Sequence, residues 1–237
     1  CKVRYSAELC DRYIDALIKE IHIVGSQHTG RKKVTSLYFG GGTPALAANR
    51  IKDIVDALND HFIITEGIGL ELHPDNVNVE VLQTLKKAGV TKISIGIQSF
   101  CDKYQKILGR KKVDTAEMMS ALAAVPFETV SMDFIFALPG QTYDDLKSDI
   151  DTAFLLGANH IAIYPFIDFT FTESPVAAMP KKEKRELLDA ITQYCLGKGY
   201  SRSSIWTFSS EPDANYSSMT RDNFLGFGCS ATSLFKG

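Results

Sequence analysis

Phe39-Gly40-Gly41-Gly42-Thr43-Pro44 is the segment of this chain best suited to hold a ligand. Three consecutive glycines after a hydrophobic run let the backbone approach another molecule closely and present amide and carbonyl groups to it. A phosphate loop of the G-x-x-x-x-G-K-[ST] kind is excluded, because no lysine stands at the required position. Gly40, Gly42 and Ala45 do satisfy the dinucleotide pattern G-x-G-x-x-[GA], a weak signal by itself. A tight turn without a ligand accounts for an isolated glycine run about as well. Four further residues of chemical interest, Glu71, His73, Gln98 and Asp133, are spaced so that they collect on one common face of successive strands.

The elements that must position them follow from periodicity. Leu9, Tyr13, Leu17 and Ile21, with Ile14 and Ile18 beside them, recur at helical spacing over residues 7 to 24. The hydrophobic run 36 to 44 then reads as a strand ending in the glycine turn, and 49 to 59 as a helix. The pattern repeats with strand 67 to 74 and helix 77 to 89, then strand 92 to 100 and helical segments near 101 to 108 and 114 to 124. Strand 129 to 140 precedes a helix over 142 to 157, for which Thr142 is a good N-cap with Asp145 three residues on. Strand 160 to 167 follows. Alternating strands and helices imply parallel βα units with right-handed crossovers.

Side-chain alternation separates an open sheet from a barrel. Ile93, Ile95 and Ile97 oppose Ser94, Gly96 and Gln98; Met132, Phe134 and Phe136 oppose Ser131, Asp133 and Ile135; Leu70 and Leu72 oppose Gly69, Glu71 and His73. A sheet covered by helices on both faces reads as nearly continuous hydrophobic strands. One greasy and one small, polar face instead predicts a barrel with helices outside and a polar lumen. After about residue 167 the rhythm changes to a loop, a helix near 181 to 197 and short strand-like runs. The expected domains are a barrel core over 1–170 and a small α+β addition over 171–237.

Length and charge set limits. A chain of 237 residues with 45% hydrophobic and 23% charged side chains suits one large α/β domain or a barrel with a small addition. A net charge of -2 and scattered basic residues give no footprint for nucleic acid. No apolar run approaches the roughly 18 residues of a membrane span and no signal peptide is legible, so a cytoplasmic protein is expected. Five widely spaced cysteines argue against a secreted disulfide scaffold. Cys10 shares a helical face with Ile14, Leu17 and Ile21 and reads as a small core residue.

Taken together and in order, YFGGGTP (38 to 44), ELHP (71 to 74), SIGIQSF (94 to 100), LGR (108 to 110), MDFIFALPGQT (132 to 142) and GFGCSA (226 to 231) carry a specific likeness. The sequence resembles the coproporphyrinogen oxidase-like branch of the radical S-adenosylmethionine (SAM) enzymes, which includes oxygen-independent coproporphyrinogen III oxidases and haem chaperones. The resemblance implies a partial (β/α)6-type, TIM-like radical SAM barrel and two cofactors, S-adenosyl-L-methionine and a 4Fe-4S cluster. It assigns the methionyl end of SAM to Gly41, Gly42 and Thr43, and further cofactor contacts to Glu71, Gln98, Arg110, Asp133 and Ile167. All of these but Arg110, Ile167 and the glycine motif belong to the polar face found by alternation.

Iron marks a departure. The family binds its cluster through C-x-x-x-C-x-x-C after the first strand, and this chain has no such spacing. Cys1 precedes the first helix as the third motif cysteine does in the family, which makes Cys1 a candidate cluster ligand and places the other two ligands and the first strand upstream of residue 1; the alternative is a descendant that has lost its cluster. The stretch 215 to 228 lacks the histidine usual in haem-chaperone members, and Ala137 stands where glycine is usual before Leu-Pro-Gly-Gln. The implied function is reductive cleavage of SAM to a 5'-deoxyadenosyl radical acting on a tetrapyrrole-like substrate, with an electron donor such as a flavodoxin or ferredoxin. The rival readings are a non-catalytic haem-binding chaperone and a nicotinamide-dependent oxidoreductase using Gly40, Gly42 and Ala45.

Overall fold

A computed structural model describes residues 5–167, 179–211 and 222–235 of the chain, which divides into two compact units. The first comprises Cys1–Glu71, Glu80–Lys92 and Ser217–Gly237. Its helix α1 (Ala7–Gly25) starts where the Ser6 hydroxyl accepts from the Leu9 amide, and its apolar stripe buries Ile14 and Ile21. A 3-10 segment, Pro44–Arg50, leads from the glycine turn into α2 (Ile51–Asn59), whose Ile54, Ala57 and Leu58 pack with Ile14, Ile21 and Phe62. Fully burying each such aliphatic side chain is worth roughly 1.5 to 3 kcal/mol. Cys10 lies half-buried against this cluster, in the small-hydrophobe role its spacing suggests.

Four strands belong to this part of the chain: β1 (Lys32–Val34), β2 (Leu37–Phe39), β3 (Phe62–Ile64) and β4 (Ile68–Leu72). β2 pairs in parallel with β4, Leu37 opposite Ile68 and Phe39 opposite Leu70. β1 and β3 form a separate parallel pair that periodicity does not predict. At three residues each, and with Lys32 and Lys33 of β1 exposed, the two strands are too short to show a period. Helix α3 (Val79–Lys87) follows β4.

The second unit comprises Leu72–Val79 and Ile93–Tyr216. Its strands, in sheet order, are β5 (Lys92–Gln98), β6 (Thr129–Phe136), β7 (His160–Pro165), β9 (Thr207–Ser209) and β8 (Ser201–Arg202). β6 and β7 are parallel, with Asp133 opposite Ala162, whereas β9 pairs antiparallel with both β7 and β8. The helices are α4 (Asp102–Ile107), α5 (Thr115–Ala124), α6 (Tyr143–Leu155) and α7 (Lys181–Gly197). The greasy face read from alternation is the core: Ile93, Ile95, Ile97, Met132, Phe134 and Phe136 are all 0 or 1% exposed. The Thr142 hydroxyl and Asp145 carboxylate form a reciprocal capping box at the start of α6.

Two strands stop earlier than their hydrophobic runs. β5 ends at Gln98 and β6 at Phe136, because Gln98 (φ 70°) and Ala137 (φ 61°) turn into the left-handed region. They are the only non-glycine residues with positive φ among those described. The run 224 to 235, expected to be strand-like, carries one antiparallel bridge between Phe224 and Leu234.

Candidate functional site

In the first unit the glycine turn leaves the C-terminal end of β2, and Glu71 stands near the C-terminal end of the adjoining β4. Ligands collect at the C-terminal ends of parallel strands because loops there are free to vary above a rigid sheet. One Glu71 carboxylate oxygen accepts from the Tyr38 hydroxyl at 3.0 Å, and the other accepts from the Gly41 amide at 3.0 Å. Two fixed donors hold the carboxylate in one orientation and leave lone pairs for a further donor. Glycine at position 40 leaves room for this contact: a Cβ there would lie 3.0 Å from both Glu71 Oε1 and the Tyr38 ring, which would have to shift. At Gly41 (φ 77°) and Gly42 (φ 60°) a Cβ would meet nothing within 4 Å, so the turn opens onto free space. Thr43 precedes the 3-10 segment, and its carbonyl accepts from the Leu46 amide. A negative carboxylate beside open backbone suits a primary ammonium group.

The turn also borders a cavity of about 310 Å³ within this unit, walled by Tyr5, Tyr13, Tyr38, Leu17 and Phe227. It is largely apolar and aromatic.

The second unit brings Gln98 and Arg110 together at Gly96. An Arg110 guanidinium nitrogen donates to the Gly96 carbonyl at 2.7 Å, and the Gln98 side-chain amide lies 3.0 Å from where a Gly96 Cβ would sit. Burial pulls the Arg110 pKa down, with Asp75 acting in the opposite direction. One strand over, the Ser94 hydroxyl is 2.9 Å from both oxygens of Asp133, and the Ser131 hydroxyl approaches the same carboxylate at 3.4 Å. Asp133 is thereby set among hydroxyl donors, an arrangement that suits recognition of further hydroxyl groups. Ile167 follows β7 and is 59% exposed.

His73, which alternation sets on the polar face with Glu71, stands just beyond β4 and is only part-buried. Its side chain is 38% exposed, and its Nδ1 accepts from the Asp75 amide at the start of the 3-10 turn Pro74–Asn76. Burial lowers its pKa, opposed by Asp75 and assisted by Arg110 and Lys111. Cys1 lies outside the described residues. Among the described residues no three His, Cys, Asp or Glu side chains are grouped to hold a metal ion, and no helix is long and apolar enough to cross a membrane. Sequence reasoning gives Tyr38 no role, although its place between Leu37 and Phe39 puts it on the side of β2 away from both.

The profile of the Radical SAM superfamily matches residues 8–153. The chain is 28% identical over 237 residues to the heme chaperone HemW of Bacillus subtilis, covering 93% of this chain and 62% of that protein. It is 26% identical over 239 residues to the oxygen-independent coproporphyrinogen III oxidase of Pseudomonas aeruginosa, covering 91% of this chain and 50% of that enzyme. The chain therefore spans between half and two thirds of the length of these relatives. The solved structure of coproporphyrinogen III oxidase HemN from Escherichia coli superposes with a TM-score of 0.83 at 22% identity, covering 98% of this chain and 59% of that one. The fold is accordingly the α/β, TIM-barrel-like fold of that enzyme.

Proposed function

Since the chain belongs to the radical SAM superfamily, whose members use S-adenosylmethionine and a 4Fe-4S cluster, we propose that its glycine turn, Glu71, Gln98, Arg110, Asp133 and Ile167 hold S-adenosylmethionine for radical chemistry on a tetrapyrrole-like substrate. The observation that carries the reading is the Glu71 carboxylate fixed on the Gly41 amide beside two glycines with open space above them. That corner fits the α-ammonium of a methionyl group, and the Asp133 carboxylate among Ser94 and Ser131 fits ribose hydroxyls. The described residues do not make a cluster site, and the candidate ligand Cys1 stands outside them.

Bound SAM with a reduced cluster would supply radical chemistry for removal of hydrogen from a substrate. The protein's own task is orientation. Glu71 receives the ammonium without reorganising, because Tyr38 and Gly41 already hold both of its oxygens. Arg110, bonded to the Gly96 carbonyl, and the Gln98 side chain beside Gly96 form the second anchor. The barrel core over 1–170, the addition over 171–237, a cytoplasmic location and an electron donor such as a flavodoxin or ferredoxin belong to the same proposal. The relatives named heme chaperone support a second reading, in which the barrel serves haem delivery without turnover.

The first test replaces Glu71 with Gln and measures SAM affinity by calorimetric titration. A hydrogen bond to a charged group is worth roughly 1.5 to 3 kcal/mol, so affinity should fall about 10- to 100-fold with the fold intact. Unchanged affinity would remove Glu71 from the site. With the gene's full-length product reconstituted anaerobically with iron and sulfide, 5'-deoxyadenosine release and vinyl product from coproporphyrinogen III are expected. Release without that product would overturn the substrate alone; no release, together with stoichiometric haem binding, would establish the chaperone reading instead.

A further inference from the structure

β5 ends on a residue that should resist its own conformation. Gln98 adopts φ 70°, a region sparsely populated by L residues, and such strain persists only where the surroundings over-determine it. The surroundings here are two buried side chains from different helices. From α4, the Gln105 side-chain nitrogen donates to the carbonyl before Gln98, that of Ile97, at 3.0 Å, and also to the carbonyl after it, that of Ser99. From α6, the Asp149 carboxylate accepts from the Ser99 hydroxyl and from the Phe100 amide, both at 2.7 Å. The Ser99 hydroxyl in turn accepts from the Cys101 amide at 3.1 Å. Gln105 and Asp149 are each 2% exposed and Ser99 0%.

The two side chains divide the work by polarity. A left-handed step at Gln98 takes the flanking carbonyls out of register with a neighbouring strand, and carbonyls can only accept, so the group that caps both must be a double donor. A primary amide nitrogen is one. The Gln105 oxygen finds no partner among the described residues, an unfavourable state for a buried acceptor, which indicates that the amide is placed for its two donors. The amide and hydroxyl beyond the step can both donate, and the carboxylate of Asp149 takes both. A parallel device stands at the next strand: Ala137 (φ 61°) is followed by the 4% exposed Gln141, whose amide accepts from Leu138 at 3.2 Å and donates toward Ile135 at 3.4 Å.

We propose that Gln105 and Asp149 are positioning residues that lock the end of β5 so that the Gln98 side chain is held over Gly96 for S-adenosylmethionine. The inference rests on the reading of Gln98 as a cofactor contact and extends it to two residues that touch no ligand. Their effect on binding is entirely through the backbone of 97–100.

The experiment uses the whole chain with Gln105→Leu, Asp149→Ala and Asp149→Asn. Two quantities are read: SAM affinity by calorimetric titration, and hydrogen exchange of the peptide spanning 98–105 at a pH where the urea midpoint is also measured. The expected result is a loss of affinity of more than tenfold for Gln105→Leu and Asp149→Ala, with exchange of 98–105 accelerated more than tenfold beyond what the urea midpoint accounts for. Asp149→Asn keeps an acceptor for the Phe100 amide and should restore affinity to within about threefold of wild type. Wild-type affinity in both disruptive variants would overturn the proposal, as would exchange that merely tracks global stability. Should the wild-type chain itself not bind SAM, the cofactor reading of Gln98 fails on its own, and the exchange data still decide whether the lock exists.

Discussion

Asp149 and His160 are both almost fully buried in the second unit, and burial drives their titrations in opposite senses. Burial raises the Asp149 pKa from 3.8 to about 6; the hydrogen bonds from Ser99 and Phe100 oppose this and the charge of Asp145, on the same helix, adds to it. Burial lowers the His160 pKa from 6.5 to about 4; its Nδ1 is bonded to the Ser131 hydroxyl, which in turn faces Asp133. Between pH 3.8 and about 6 the folded chain holds a proton on Asp149 that the unfolded chain has released, so this group's contribution to stability falls as pH rises. Between pH 4 and 6.5 the unfolded chain protonates His160 and the folded chain does not, so that contribution rises with pH. At about 1.4 kcal/mol per pH unit and proton, each amounts to about 3 kcal/mol over its window. In the wild type the two nearly cancel. Urea unfolding from pH 4 to 7 should show wild type minus Asp149→Asn falling by about 3 kcal/mol with rising pH, and wild type minus His160→Asn rising by about as much. Groups that do not interact with the substituted residue drop out of these differences, whereas Asp145 stays coupled to Asp149. Two flat difference curves, or two of the same sign, would refute the assignment of both shifts to burial.

The two neighbouring glycines of the turn should differ in what they do to stability. Gly40→Ala places a Cβ 3.0 Å from Glu71 Oε1 and the Tyr38 ring, so SAM affinity should fall at least tenfold while the urea midpoint hardly moves. Gly41→Ala meets no protein atom but keeps φ 77°, so it should destabilise the chain by about 1 kcal/mol, and its Cβ, entering the open space proposed for the cofactor, should lower SAM affinity as well. Equal effects of the two on the urea midpoint would refute the distinction, and unchanged affinity in Gly41→Ala would move the cofactor away from the turn. Thr142→Ala removes one half of the capping box and should destabilise by about 1 kcal/mol in the same assay. A change below the error of the measurement would mean that the Tyr104 hydroxyl, which also bonds Asp145, holds the helix start unaided.

Most elements are legible in the sequence because their physical cause is local. The apolar stripe of α1 and the Thr142–Asp145 cap of α6 lie within one or two helical turns of sequence. Alternation in β4, β5 and β6 is enough to set Glu71, Gln98 and Asp133 each on the side of its own strand opposite the buried leucines, isoleucines and phenylalanines. Arg110 is reachable only through family resemblance, since it lies on no periodic element and meets Gly96 fourteen residues away. The strand ends escape periodicity for a different reason. Left-handed turns are read from glycine, and neither Gln98 nor Ala137 is one. The glycine that the family usually carries at the position of Ala137 is the residue that φ 61° favours.

Asp149 shows what a finer reading of register can extract. In α6 the buried residues are Leu146, Asp149, Ile150 and Ala153, the spacing of a single apolar stripe with one acid on it. In the run DDLKSDIDT that acid looks like any other solvated charge, because three more surround it. Its register, three residues after Leu146 and one before Ile150, is what sets it apart. A charge on the buried side of a helix is disfavoured unless donors await it, so its place in the stripe by itself implies a partner group beyond the helix. The partner is the Ser99–Phe100 turn, fifty residues earlier in the chain. The same reasoning applied to Gln105, buried next to Tyr104 in the polar helix DKYQKI, leads to the opposite flank of Gln98. Polar residues out of place on two different helices thus converge on one strained residue of the proposed cofactor site.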